Sequence, residues 1–166
     1  MEVLGRQINK LMTGGLDRAL ASEEFQSLAL GKVLLLSYPA GLKAQGLAIA
    51  KLNQGSGVDE VSACGVEIAK AVECKDILIL SGEFEKAANL VEGLALRNYN
   101  YLDQKTNTKI TTFNLQVMVQ SVEDHVDKIN QKLAVVDGVF FTRDLINAPA
   151  NVLTTNSFAE QLSALS

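Results

Sequence analysis

Three observations predict an α/β domain with a mixed or largely parallel sheet. Short continuous apolar runs, KVLLLS at 32–37 and KDILILSG at 75–82, are too brief for helices and read as buried strands. Longer stretches between and after them carry apolar residues at every third or fourth position, the period of a helix packed on one side. Strands and helices alternate along the chain, the order that lays helices on a sheet. With 166 residues, 48% of them apolar, the chain is long enough for one domain with a substantial core.

In chain order, Val3, Leu4, Ile8, Leu11 and Met12 trace a first helix, which Gly14-Gly15 would stop. A short helical piece is expected from Leu16 to Glu24. Strand 32–37 follows, then a turn at Pro39 and Gly41. A second strand through Leu47, Ile49 and Leu52 ends at Asn53, and NQGSG is a loop. Val58, Val61, Gly65, Ile68 and Val72 have helical spacing. After strand 75–82, Phe84, Ala87, Ala88, Val91, Ala95, Tyr99 and Leu102 predict one long helix. Alternation and β-branched residues predict a fourth strand over 109–119. Ser121-x-x-Asp124 has the form of a capping box opening another long helix, with Val122, Val126, Ile129, Leu133, Val136 and Phe140 as its apolar face. Pro149 excludes Ala148 from the helical region, so that helix should stop near Ile146 or Asn147, with Asn147 able to close it in the left-handed conformation. Asn151 and Thr154 can hold the ensuing turn through their side chains. Ser157 and Glu160 then have the spacing of a second capping box, ahead of Phe158, Leu162 and Leu165. That stripe runs out at Ser166, as expected of a piece of a longer protein.

Composition narrows the function classes. No apolar run approaches the ~20 residues of a membrane span, and the opening MEVLGRQINK lacks a basic stretch followed by an apolar core, so no secretory signal is expected. Cys64 and Cys74 are too few for a disulfide framework and suit a reducing, cytoplasmic setting. A net charge of −4 offers no general attraction for nucleic acid.

Two segments resemble the leucine aminopeptidases, also called cytosol aminopeptidases. Arg143-Asp144-Leu145, Asn147, Pro149 and Asn151-Val152-Leu153-Thr154 match the family's RDLxNxPxNxLTP segment, with Thr155 in place of the final proline. Glu92-Gly93, Tyr99, Tyr101 and Lys105 resemble its EGxxLxxYxFxxYK segment, with Gln104 where an aromatic is common. The resemblance implies a three-layer α/β/α domain, similar to macro domains, over residues 1–150, with 151–166 as the linker and the start of the helix leading to a catalytic domain. It implies a parent that releases N-terminal amino acids from peptides as a homo-hexamer, with two divalent metal ions, manganese or zinc, bound in the catalytic domain. No position matches the family's ligand or catalytic motifs, so no catalytic, cofactor or metal residue is assigned to this chain. The alternative from the same resemblance is a binding module for nucleic acid or for a nucleotide such as ADP-ribose.

Other constellations point the same way. His125 is the sole histidine, has no partner at ligand spacing, and is expected to be half-exposed on its helix. Cys64 and Cys74 read as small core residues. Ser81 lacks the Gly-x-Ser-x-Gly elbow of a serine hydrolase. Gly55-Ser56-Gly57 stands where a dinucleotide loop would, but Glu60 occupies the third glycine position, which favours a plain strand-to-helix turn. Lys105 and Lys109 beside Tyr99 and Tyr101 make a small basic and aromatic group whose simplest reading is solvated surface. Glu83, Glu85, Glu123, Asp124 and Asp127 read as charges at helix starts.

Overall fold

The computed structural model of the chain describes residues 3–72, 76–101 and 114–164. Among these the elements run α1 (Val3–Leu11), α2 (Gly15–Ala21), α3 (Glu23–Ser27), β1 (Val33–Ser37), β2 (Gly46–Ala50), α4 (Val58–Ala71), β3 (Asp76–Gly82), α5 (Ala87–Arg97), β4 (Asn114–Val119), α6 (Val122–Asn147) and α7 (Thr155–Ser163). The class is the expected α/β, and its strand pairing is mixed. β1 and β2 pair antiparallel, with Leu34 opposite Ile49; β3 and β4 pair parallel, with Ile77 opposite Leu115 and Ile79 opposite Val117. The described strands form these two separate ladders rather than one continuous sheet. Residues 109–113 of the expected fourth strand lie outside the described residues, as do Cys74, Leu102, Gln104, Lys105, Lys109 and Leu165.

The core forms where the alternating face of β3 meets the helices. Ile77 and Ile79 point inward while Leu78 and Leu80 stay exposed, the period of two at work. Against the buried pair pack Val61, Cys64 and Ile68 of α4 and Leu90, Val91 and Leu94 of α5, with Ile129 and Leu133 of α6 at the edge. On the opposite side of the ladder, Val3 and Leu4 of α1 share a shallow cavity of about 460 Å³ with Met118 and Gly82. That disposition is compatible with three-layer α/β/α packing.

Two glycines set how closely α4 and α5 approach. A Cβ on Gly65 would collide with the Leu90 carbonyl oxygen, and one on Gly93 with the Ser62 carbonyl oxygen. The two backbones therefore meet directly, and only glycine fits at either position.

Several boundaries differ from the expected ones. β2 ends at Ala50, although Lys51 still pairs through its backbone with Lys32 and Gly31; its ammonium donates to the carbonyls of Phe25, Gln26 and Leu28 at 3.2, 2.7 and 2.8 Å, satisfying the end of α3. α5 is shorter than the Phe84–Leu102 pattern. Lys86 precedes it in a non-helical conformation, its ammonium donating to the carbonyls of Gln54 and Ser56 at 3.2 and 2.6 Å. The expected box at Ser121 and Asp124 is absent: the Ser121 hydroxyl donates to Glu123 instead, at 3.3 Å. α6 does end at Asn147, with Ala148 extended ahead of Pro149 (φ −66°, ψ 130°), but Asn147 stays helical rather than left-handed. α7 begins three residues earlier than a cap at Ser157 would have placed it. Its cap is Thr154, whose hydroxyl accepts from the Ser157 N–H at 3.3 Å while the Thr154 N–H donates to Ser157 Oγ at 2.8 Å. Thr154 thus holds the turn, in a box that pairs it with Ser157 and leaves Glu160 out.

Candidate functional site

The two motif segments, more than forty residues apart in sequence, meet in space. α5 runs out at Arg97, and Tyr99, two residues on, folds across to the last turns of α6. Its hydroxyl donates to Asp144 Oδ1 at 2.8 Å and accepts from the Asn147 side-chain amide at 3.0 Å. Its ring lies 5.2 Å from that of Phe140, tilted by 52°, and the Arg143 guanidinium stands 5.3 Å from its centroid. A cation over a π face and a tilted ring pair are both favourable arrangements. The same guanidinium donates to the Leu96 carbonyl at 3.1 Å, one of the acceptors that the end of α5 leaves without a helical partner.

The geometry follows from spacing on α6. Residues 140, 143, 144 and 147 stand at i, i+3, i+4 and i+7, one face of a helix, so a single aromatic side chain can touch all four. Burial raises the Tyr99 phenol above its ordinary pKa; donation from Asn147 opposes that, and the Asp144 carboxylate adds to it. Higher on the same helix pair, Lys132 Nζ lies 3.0 Å from Glu92 Oε2. Glu92 with Lys132, and Tyr99 with Arg143, Asp144 and Asn147, therefore act together to fix the angle between α5 and α6 and the direction in which the chain leaves α6, while Gly93 of the same motif faces α4. The sequence displayed these residues as two unrelated segments, and periodicity placed Tyr99 on the wrong element. An unpaired aromatic just past a helix end is the signal that could have suggested a reach to another element.

The remaining candidates fall apart as sites. Cys64 is fully buried, and its thiol is pushed up to about 11 by desolvation, with Glu67 and Glu60 adding to it, so it is a core residue and no nucleophile. His125 is not half-exposed but buried, with 9% of its surface accessible. Its Nδ1 lies 2.9 Å from the Ser121 carbonyl, and Nε2 has no hydrogen-bond partner. Being four residues past Ser121, the ring curls back over the first turn of α6 rather than outward. In the Gly55-Ser56-Gly57 loop, Ser56 is buried against Asn53, and the loop turns carbonyl oxygens, not N–H groups, toward Lys86. That is a strand-to-helix turn rather than a phosphate cradle. Among the described residues no three His, Cys, Asp or Glu side chains converge so as to hold a metal ion. No described helix is long and apolar enough to cross a membrane.

No protein-family model matches the chain. Curated proteins do. A "Probable cytosol aminopeptidase" of Cereibacter sphaeroides is 36% identical over 165 residues, which is 99% of this chain and 34% of the relative. Its namesake in Dinoroseobacter shibae is 34% identical over 96% of this chain and 33% of its own length. One from Phytoplasma australiense is 27% identical over 98% of this chain. The chain thus spans about a third of the length of the curated relatives it matches, and the match lies in their N-terminal part. Homologous along nearly its whole length to that part, the chain belongs to the cytosol, or leucine, aminopeptidase family as its N-terminal domain.

Proposed function

We propose that residues 1–150 form the non-catalytic N-terminal domain of a metal-dependent leucine aminopeptidase, and that 151–166 are the linker and the first helix leading to its catalytic domain. The parent releases N-terminal amino acids from peptides in the cytoplasm. Two divalent metal ions, manganese or zinc, reside in the catalytic domain, and six copies of the parent assemble. The domain's own part is structural: the α5–α6 clamp holds the exit of α6, and so the orientation of the polypeptide downstream of it. One observation carries this reading. Relatives named as aminopeptidases match the chain from end to end while extending to about three times its length.

The test is hydrolysis of a leucyl chromogenic substrate with added manganese. The 166-residue chain should be inert, and the chain extended through the rest of its reading frame should turn over. Saturable activity that copurifies with the 166 residues alone overturns the division of labour. An inert extended chain overturns the peptidase reading.

A further inference from the structure

Helix α6 carries two apolar stripes, and only one is covered. Ile129, Leu133, Val136 and Phe140 face the core and α5. Val135, Val139 and Ile146 recur at i, i+4 and i+11, on another flank of the same helix. There Val135 is 54% and Ile146 77% exposed, and Val139 between them is half-buried. α7 repeats the pattern with Phe158 and Leu162, 41% and 44% exposed, and buries no residue of its own. Exposed apolar residues scattered singly need no explanation, but stripes on two successive helices do.

A second observation lies within the flank. Gly138 sits mid-helix, three residues from Val135 and eight from Ile146, and a Cβ there would meet nothing within 4 Å. Glycine inside a helix is unfavourable relative to alanine. At Gly65 and Gly93 that penalty is offset by a neighbouring backbone in contact; at Gly138 no described atom supplies the offset.

Resting on the function proposed above, we propose that Val135, Gly138, Val139 and Ile146 of α6, with Phe158 and Leu162 of α7, form the seat on which the polypeptide continuing beyond Ser166 packs in cis, its backbone closing on Gly138. The occupant is argued from chain length. The relatives continue for about two thirds of their length beyond the part matched here. That polypeptide continues from α7, the helix that directly follows α6 in the chain, and so short a tether gives a high effective concentration at the seat. The clamp on Tyr99 holds the α6 stripe on an ordered helix, ready to receive it, and the cap on Thr154 sets where α7 starts.

The experiment pairs the 166-residue chain with its extended form. Gly138→Ala should raise the Tm of the 166-residue chain, where the added methyl meets only solvent and the helix gains propensity. It should lower the Tm of the extended form, where the methyl meets a packed backbone. Ile146→Cys, read by site-resolved maleimide labelling, should react at least tenfold more slowly in the extended form. A gain from Gly138→Ala in both forms, or labelling rates within twofold of each other, overturns the seat. Protection that vanishes on dilution assigns the flank to a second copy and overturns it as well. Leucyl hydrolysis by the unsubstituted extended form is measured alongside, so loss of the seat with activity intact is told apart from failure of the peptidase reading.

Discussion

Two glycine-bearing helix faces of this molecule behave in opposite ways. At the α4–α5 crossing, Gly65 and Gly93 bring two backbones into direct contact around Val61, Cys64, Leu90, Val91 and Leu94. On the outer flank of α6, Gly138 has open space where a side chain would go. The local cost of glycine is the same in both places, about 1 kcal/mol. Inside the domain it is offset by packing that no other residue permits. On the flank no described residue offsets it. A glycine's meaning is set by the group that stands opposite it, which local sequence does not record.

The contrast can be broken most forcefully at its buried end. Gly93→Ala places a methyl against the Ser62 carbonyl and should destabilise the chain by about 3 kcal/mol, overpacking outweighing the ~1 kcal/mol that alanine gains as a helix former. Urea unfolding measures it, and a loss below about 1 kcal/mol would mean that the two helices part without penalty.

Next in size is the pH dependence of the same core. The Cys64 thiol is raised to about 11 against an ordinary value near 8.5. The unfolded chain therefore ionises first. The contribution is whole below about pH 8.5 and is lost as pH climbs through about 11, amounting to roughly 3 kcal/mol. Cys64→Ala should flatten that stretch of the stability curve; an unchanged slope would show that the thiol is not the group that titrates.

Smaller effects belong to the clamp. Tyr99→Phe keeps the ring on Phe140 and Arg143 but removes both hydrogen bonds. It should lower the Tm by only a few degrees, because Asp144 and Asn147 are exposed enough to turn to water. An unchanged Tm would reduce the clamp to its aromatic contacts. At the open flank the sign reverses: Gly138→Ala should stabilise the 166-residue chain by about 0.5–1 kcal/mol. A destabilisation there would reveal a contact within the chain itself.

The smallest protection is expected in α7. A nine-residue helix that buries nothing is marginal in water. Hydrogen exchange in dilute solution should find amides from Phe158 to Ser163 far less protected than those of residues 126–140. Comparable protection would show that α7 belongs to this domain's own core.

Much of this was legible from residues alone. The short apolar runs marked β1 and β3 as strands, but not as strands buried on both faces: Leu35, Leu78 and Leu80 stay exposed on the far side. The three- and four-residue periods marked α4 and α6, and Pro149 fixed the end of α6 through a steric rule local to the chain. The expected α5 was too long because Tyr99 and Leu102 continue the helical period after Lys86 and Asn98 have set the limits. The expected cap at Ser157 was misplaced because Thr154, Ser157 and Glu160 all have capping chemistry, and only backbone conformation chooses among them.

The sequence by itself determined the element types and the family, since each is written in local pattern or in contiguous identity; the apolar faces it marked are covered only in part, for Val122 and Val126 of the expected α6 face stay exposed. Only the tertiary structure decided that β1–β2 and β3–β4 pair as separate ladders, that Lys51 ends α3, that His125 turns inward, and that Tyr99 joins two motifs into one clamp. Those outcomes depend on which distant groups arrive within hydrogen-bonding or van der Waals range, and that distance is a property of the packed chain rather than of any stretch of it.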